Sequence, residues 1–451
     1  MFKNLKMSKP LRLVLTGLVG AIAITLIFLP YATPSFGQPH QSEVTLVGRY
    51  TLPTTGLKAA QNRAIPGQVP DDRGVNLGGV FSGLSHAQGD SDSLFYAIAD
   101  RGPNGQVKVG KQRRRTFPVP EYNPVIYKLS AQGNSLQILQ EIPIRTRKGQ
   151  PVTGLSNTDH DEVPYTYDGQ TRLELNPNGL DPEGLARASD GTFWVCDEYS
   201  PSVAHITAEG TLVRRLVPEG MTLTADTDVR PVLPAIYAKR RLNRGFEGVT
   251  LSSDDTRLFI VLQSPLDFPT KKIGRTSRMM RLLVVDTQKL MPVAEYVYVA
   301  ESASSFGETK QGKMKVGDIA FINPTTLLLC ERTDKVARIY QVDLSSATNI
   351  LGTHWSDPKN TSNSLEVLTP QQLATNGITP VKKSLVADLS QVSGMPDKIE
   401  GLTILNPTTI AVGNDNDFGF DSFNAAGRAV NNNQTNKLLI LRLPQALPLS
   451  Q

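Results

Sequence analysis

The sequence predicts an all-β fold, and three observations predict it. Short apolar runs alternate with turn residues along the whole chain, which contains 36 Gly and 31 Pro. Five segments repeat one strand–turn–strand pattern. Between them lie further strand-like runs such as PVIYKL and RLLVVD. Repeated short antiparallel strands of this kind are typical of a β-propeller, in which sheets surround a central channel.

The five repeated segments carry the argument for a propeller. Each passes through a short strand, turns at Ser-Asp-Gly, Asp-Asp or Asn-Pro-Thr-Thr, and returns through an apolar strand; such residues tolerate tight-turn geometry. The segments span 81–102, 182–201, 246–265, 316–334 and 399–417. Their uneven spacing favours six blades and leaves five or seven open, with the ambiguity in residues 150–178. We expect one domain over 43–446, closed by pairing EVTLVGRYTLP with KLLILRLP, since open sheet edges invite aggregation.

The N-terminal segment has the features of a targeting signal. Basic residues precede an apolar run from Leu13 to Pro30, and small residues at Ser35 and Gly37 fit a cleavage site. Residues 1–37 are therefore predicted to be a signal peptide, and an uncleaved anchor stays open because the run is near spanning length. The sequence predicts export, to the periplasm or the extracellular space, and contact with a membrane only if the segment is retained.

Composition excludes some classes of protein. Hydrophobic residues make up 39% and charged residues 20%, which is ordinary for a globular chain. Four basic residues of the N-terminal segment account for most of the formal charge of +5. The net positive charge of the chain therefore does not indicate binding to nucleic acid. Cys196 and Cys330 lie in apolar strand patterns and are expected to be buried free thiols. Neither G-x-S-x-G nor H-E-x-x-H occurs, so acyl-enzyme chemistry has little support.

Carboxylates recur at the starts and ends of the repeated hairpins. Both ends of an up-and-down hairpin lie at the same rim, so these groups should crowd one mouth of the channel, where like charges need a cation or protons. Oxygen ligands of this kind suit calcium. The alternative is that they cap turns or bond neighbouring backbone. The candidate catalytic residues are Glu183, Glu247 and Glu400, and the candidate metal ligands are Asp100, Asp197, Glu198, Glu331, Asp415 and Asp417.

Basic loops follow the same hairpin ends. Long rim loops are expected near 101–120, 150–178 and 264–281, and basic runs should overhang the acidic mouth, although they can also be ordinary solvated loops. Cationic side chains beside carboxylates that hold a metal make a site for a phosphorylated ligand. The candidate substrate-binding residues are Arg101, Arg244, Lys271, Lys272 and Arg275.

Five phrases occur in an order that resembles the phytase-like family, described as "esterase-like activity of phytase". They are ADRGPN, DPEGLARASDGTFWVCDEYSP, NRGFEGVTLSSDD, QSPL, and KIEGLTI with NDNDFGF. The resemblance covers nearly all of the chain after the first segment. It implies an exported propeller-like protein and hydrolysis of phosphate esters.

Two main hypotheses follow, with a third behind them. The first is an exported, metal-dependent phosphoric-ester hydrolase that binds calcium and a small phosphorylated substrate. The second is a non-catalytic propeller that serves as a binding module of the cell envelope. The third is a lactone or carboxylic-ester hydrolase. The sequence does not predict an oligomeric state.

Overall fold

The structure is a computed structural model that describes residues 43–87 and 89–449. The predicted signal peptide, residues 1–37, lies outside these residues and stays a prediction. Strands dominate the described chain, as the sequence predicted. Helix α1 (Leu57–Ala64) precedes the first repeat, and the one-turn helix α2 (Lys271–Gly274) lies in the third. No helix within the described ranges is both long and apolar enough to cross a membrane.

Most strands fall into groups of four, numbered here in chain order. The first group contains β2 (Gly83–Ser85), β3 (Leu94–Ile98), β6 (Val125–Gln132) and β7 (Ser135–Pro143). The second contains β9 (Pro182–Arg187), β10 (Phe193–Asp197), β11 (Ser202–Ile206) and β12 (Leu212–Pro218), and β13 (Asp228–Leu233) extends it in parallel. The third contains β14 (Phe246–Leu251), β15 (Arg257–Leu262), β16 (Met279–Asp286) and β17 (Met291–Val299).

The last two groups complete the ring, and two small sheets lie outside it. The fourth group contains β18 (Lys315–Asn323), β19 (Thr326–Arg332), β20 (Ala337–Asp343) and β21 (Lys382–Asp388). The fifth contains β22 (Ile399–Asn406), β23 (Thr409–Asn414), β26 (Lys437–Arg442) and β1 (Thr45–Thr51). The small sheets contain β4 (Gly105–Val109), β5 (Gln112–Thr116) and β8 (Pro164–Tyr165), and β24 (Phe420–Phe423) with β25 (Ala429–Asn431).

The first strands of the five groups form a closed ring around the channel. Strands β2, β9, β14, β18 and β22 contact one another in that order, and β22 returns to β2. The propeller prediction is therefore confirmed, and the described residues contain five blades rather than the favoured six. Residues 150–178 suggested a further blade, but they contribute only β8, which pairs with β5 outside the ring. The predicted closure is also confirmed, because β1 pairs antiparallel with β26.

The hydrophobic core lies between neighbouring blades. For example, Ile98 and Ile126 of the first blade pack with Leu185 and Val195 of the second. Both cysteines are buried and free, as predicted.

Inner strands approach one another most closely at a repeated glycine. A Cβ on Gly83 would lie 2.7 Å from the Leu185 nitrogen, and one on Gly248 would lie 2.9 Å from the Asp318 Cα. The repeat positions that hold these glycines are Gly83, Gly184, Gly248 and Gly401, with Asp318 as the fifth member. Five blades make a narrow ring, so four of its five closest positions carry no side chain.

The exception, Asp318, fills the space that the glycines leave. Its carboxylate accepts hydrogen bonds from the backbone N–H of Ile319 at 2.9 Å, Leu402 at 3.2 Å and Leu84 at 3.5 Å, and from that of Val249. These residues belong to four of the five inner strands. Asp318 therefore ties the ring together and separates two ends of the channel. We call the end with the hairpin starts and ends the carboxylate mouth, and the end with the hairpin turns the turn mouth.

Candidate functional site

The three candidate catalytic glutamates occupy β-bulges of the inner strands. The pairing of β14 with β15 shifts register between Phe246 and Gly248, leaving Glu247 unpaired. The pairing of β22 with β23 shifts in the same way around Glu400, and that of β9 with β10 shifts around Glu183. A bulge re-aims the side chain of its extra residue. The three carboxylates consequently lie close enough to interact electrostatically at the carboxylate mouth.

Asp100, Asp181 and Glu183 form the tightest acidic group, which we call the acidic trio. One carboxylate oxygen from each lies within 4.8 Å of the others. The Gly102 N–H donates to Asp100 Oδ1 at 2.8 Å, and the Arg101 N–H donates to Asp181 Oδ1 at 3.2 Å. Asp181 Oδ2 is buried and pairs with the Arg101 guanidinium, whose Nη1 lies 3.1 Å away. Three carboxylates so close together offer hard oxygen ligands of the kind that calcium prefers, and calcium would need further oxygen ligands to complete its shell.

The electrostatics of the acidic trio favour bound protons or a bound cation. Burial raises the pKa of Glu183 well above its ordinary value, and the nearby carboxylates of Asp181 and Glu247 raise it further. Burial also raises the pKa of Asp100 and of Glu198 well above the ordinary range. Desolvation and like charges both disfavour ionised carboxylates, so a divalent cation would relieve both effects.

On the other side of the carboxylate mouth, one buried guanidinium pairs with two of the candidate catalytic carboxylates. The buried Arg332 guanidinium contacts both Glu247, at 3.3 Å, and Glu400. Gln263 Nε2 donates to Glu247 Oε2 at 2.6 Å. Burial nevertheless raises the pKa of Glu400 to about 8. Because Arg332 lies between the two carboxylates, they are less available to a metal than the acidic trio.

Asp415 is likewise occupied by a cation. Its Oδ2 lies 2.7 Å from Lys398 Nζ. Burial acts to raise the pKa of Asp415, but the Lys398 ammonium outweighs it and the pKa is lowered. The same ammonium pairs with Asp417, whose side chain is 66% exposed. These two candidate metal ligands therefore serve as partners of a lysine.

Asp197 and Glu331 face away from the acidic trio. Asp197 accepts hydrogen bonds from the backbone N–H of Asp181 at 2.9 Å and of Tyr199 at 3.0 Å, so it holds the hairpin end. Glu331 accepts from the Tyr298 hydroxyl at 2.6 Å and from Lys383 at 3.0 Å. Successive strand residues point to opposite faces. It is thus the following residue in each case, Glu198 or Arg332, that interacts with the carboxylate mouth.

Two of the five candidate substrate-binding residues lie at the carboxylate mouth. Arg101 is buried, with Nη1 3.1 Å from Asp181 Oδ2. Arg244 donates to the Gly312 carbonyl at 2.9 Å, and burial lowers its pKa to about 10, although Glu198 and Glu247 oppose this.

The other three lie farther out, at or near helix α2. Lys271, Lys272 and Arg275 are exposed, and Lys271 and Arg275 interact electrostatically with Asp267. The loop near 101–120 forms the β4–β5 hairpin. There Arg115 pairs with Glu162 at 2.7 Å, and Glu162 also lies 3.8 Å from Arg101.

Sequence reasoning missed four residues that shape the site. Asp181, which directly precedes the second repeated segment, was not among the candidate ligands. Arg332 and Lys398 supply the buried cations, and Asp318 closes the channel. A strict alignment of the repeats contained a signal for two of them. Arg332 occupies the position of Asp100 and Glu198, and Asp318 the position of the glycines.

Comparison with known proteins gives a family and one curated relative. The family model "Phytase-like: Esterase-like activity of phytase" matches residues 77–418, about three quarters of the chain. An "Uncharacterized secreted protein" of Arthroderma benhamiae is 24% identical over 377 residues, covering 71% of this chain and 72% of that protein.

Solved propeller structures resemble the chain only distantly. The Dos1 propeller is 7% identical with a TM-score of 0.30; the match covers 75% of this chain and 54% of that one, so the chain spans about half of it. The PQQ-bound aldose sugar dehydrogenase of Streptomyces coelicolor is 10% identical with a TM-score of 0.32. That match covers 82% of this chain and 84% of the dehydrogenase chain. Such scores carry no argument about function, and the architecture rests on the strand pairing itself.

Proposed function

The chain belongs to the phytase-like family, and on that basis we propose that it is an exported hydrolase of phosphoric esters that requires a divalent cation, with calcium the first candidate. The observation that carries the proposal is the acidic trio at the carboxylate mouth, flanked by two arginines. Export is supported by the signal-like N-terminal segment and by a relative whose name calls it secreted.

Asp100, Asp181 and Glu183 would hold the cation. Two of these residues, Asp100 and Glu183, are partly exposed, whereas Asp181 is fully buried. A bound divalent cation would supply Lewis-acid polarisation of a phosphoryl oxygen and would stabilise negative charge. This assignment moves Glu183 from the catalytic carboxylates to the ligands and adds Asp181.

Arg101 and Arg244 would orient the phosphoryl group. Both lie at the carboxylate mouth. Arg101 is paired with Asp181 and Glu162 but keeps a buried Nε without a hydrogen-bond partner, and Arg244 donates its hydrogen bonds to backbone carbonyls rather than to a carboxylate. Guanidinium groups recognise phosphate through charge-assisted hydrogen bonds. At the rim, long-range attraction of an anionic substrate would come from Lys271, Lys272 and Arg275, which would not contact the substrate directly.

Glu198 is the best placed carboxylate to accept a proton. Its Oε1 accepts the Gly245 N–H at 3.2 Å, which fixes the side chain, while its buried Oε2 has no hydrogen-bond partner. A carboxylate whose pKa burial has raised is a better proton acceptor near neutral pH than an ordinary one. Glu247 and Glu400, held by Arg332, would act as positioning residues.

Replacement of Glu183 by Gln tests the proposal. Phosphate release from phytate, glycerophosphodiesters and aryl phosphates should be stimulated by calcium in the wild type. It should fall by about a hundredfold or more in Glu183→Gln, comparable to the loss of one preorganised hydrogen-bond donor in other active sites. Asp190→Asn, which changes an exposed turn carboxylate, is the matched control and should leave the rate unchanged.

The same assay distinguishes the alternatives. Activity confined to aryl acetates and lactones would replace the phosphoric-ester assignment by the carboxylic-ester one. A folded protein that hydrolyses none of these substrates with calcium present would contradict the enzyme proposal. The non-catalytic binding module would then be the remaining hypothesis.

A further inference from the structure

A second cavity lies beside the fifth blade. Its volume is about 300 Å³, at the lower end of the range for small-molecule sites. The lining residues lie in four segments, 52–54, 76–77, 416–419 and 431–436. The first of these segments follows strand β1 and the last leads into β26, both of the fifth blade. No residue of the acidic trio lines the cavity, so it is separate from the chemistry proposed above.

Amide side chains dominate the lining of this cavity, which we call the amide cavity. Half of its twelve lining residues are Asn or Gln, and two more are Thr. The described residues that line it include no charged side chain. Its two leucines, Leu52 and Leu77, are only 4% and 5% exposed. A ligand would therefore meet amide and hydroxyl groups rather than an apolar or charged surface.

Two buried amides hold the amide cavity in shape. Asn416 Oδ1 accepts the Gly79 N–H at 2.9 Å, and its Nδ2 donates to the Gln434 carbonyl at 3.0 Å. Asn436 Oδ1 accepts the Val80 N–H at 3.2 Å. These hydrogen bonds join parts of the chain that are far apart in sequence. The cavity is consequently preformed, and the side-chain amides of Asn416 and Asn436 are already used.

The other four amides of the lining remain available to a ligand. Each is exposed or partly exposed, and its side chain makes no hydrogen bond within residues 43–87 and 89–449. They are Asn76, Asn431, Asn433 and Gln434. A side-chain amide offers two donor hydrogens and an acceptor oxygen. The amide cavity thus brings together several donors and acceptors that the fold itself does not use.

We propose that the amide cavity binds a neutral sugar unit, whose hydroxyl groups form hydrogen bonds with these four amides. A sugar hydroxyl both donates and accepts, and each amide side chain also supplies both roles. A charged ligand would lose hydration without gaining an opposite charge from the lining, so a neutral ligand is favoured. The proposal does not depend on hydrolase activity.

Methyl glycosides of glucose, galactose and mannose test the proposal by calorimetric titration of the folded protein. At least one of them should bind. The matched probe is 2-methoxytetrahydropyran, which keeps the ring and the methoxy group but has no hydroxyls. It should bind at least about tenfold more weakly, because the amides then have no hydrogen-bonding partner on the ligand. Glu183→Gln should bind the glycoside as tightly as the wild type, which separates the amide cavity from the acidic trio.

Asn431→Ala/Gln434→Ala locates the binding. Both side chains are exposed and contribute no hydrogen bond to the fold, so the variant should melt at the wild-type temperature. It should bind the glycoside at least about fivefold more weakly, because two of the four amides are removed. The matched control is Gln445→Ala, which removes an exposed amide outside the lining and should leave the affinity unchanged.

The proposal is overturned if none of the three glycosides binds, or if 2-methoxytetrahydropyran binds as tightly as they do. It is also overturned if Asn431→Ala/Gln434→Ala keeps the wild-type affinity, or if Glu183→Gln or Gln445→Ala loses as much affinity as that variant.

Discussion

Arg332→Met is expected to destabilise the fold by about 3–5 kcal/mol, the usual cost of breaking a buried ion pair from one side. Arg332 is fully buried and contacts two buried carboxylates, Glu247 and Glu400. Without the guanidinium, both carboxylates stay desolvated with no cation between them. Methionine keeps most of the side-chain length, so the loss reports charge more than packing.

Urea denaturation of the wild type and three variants measures this effect. Arg257→Met removes a partly exposed pair, in which Arg257 lies 2.9 Å from Asp286 and is 42% exposed, and should cost at most about 1 kcal/mol. The combined variant Arg332→Met/Glu247→Gln/Glu400→Gln should recover part of the lost stability, because it removes the uncompensated charges. If Arg332→Met loses less unfolding free energy than Arg257→Met, Arg332 does not neutralise Glu247 and Glu400.

Asp318→Ala is expected to cost at least about 3 kcal/mol, because each buried N–H left without an acceptor costs about 1–3 kcal/mol. The carboxylate accepts from Ile319, Leu402 and Leu84, on three different inner strands. Alanine removes every one of these acceptors at once. Asp318→Asn keeps one acceptor oxygen and should lose a smaller share of the stability.

Thermal unfolding and amide hydrogen exchange measure the role of Asp318. In Asp318→Ala, the amides of Leu402 and Leu84 should exchange faster than in the wild type. Asp343→Ala is the control, because Asp343 accepts one N–H, from Ser345 at 2.8 Å, in an exposed turn. If Asp318→Ala melts at the temperature of the wild type, the ring does not depend on this carboxylate.

The architecture was predictable because each blade carries its own local signals. Turns such as Asn-Pro-Thr-Thr mark the inner hairpins, and the apolar strands that follow them are short and regular. The number of blades was harder to predict because it depends on pairing between distant segments. Residues 150–178 are long enough to hold a blade, and only the pairing of β8 with β5 shows that they lie outside the ring.

The location of the acidic mouth was also predictable, but the roles of its members were not. Hairpin geometry placed Glu183, Glu247 and Glu400 together. Hairpin geometry alone did not show that β-bulges direct these side chains toward the channel. A one-residue shift in strand pairing moves a side chain to the opposite face of the sheet. Glu198 faces the channel and Asp197 does not, although they are neighbours in sequence. The distinction depends on tertiary pairing.

Calcium-dependent melting of the wild type and Glu183→Gln, at about pH 5.5 and about pH 8, tests the central claim most directly, since metal ligands must lose their protons to bind. Without calcium, wild-type stability should fall as the pH rises above 4.5, because burial raises the pKa of Glu183 in the folded state above that ordinary value. Calcium should raise the wild-type melting temperature, more at the higher pH, and should have little effect on Glu183→Gln. Equal calcium shifts in the two proteins, or no shift in the wild type, would contradict a cation site at the acidic trio.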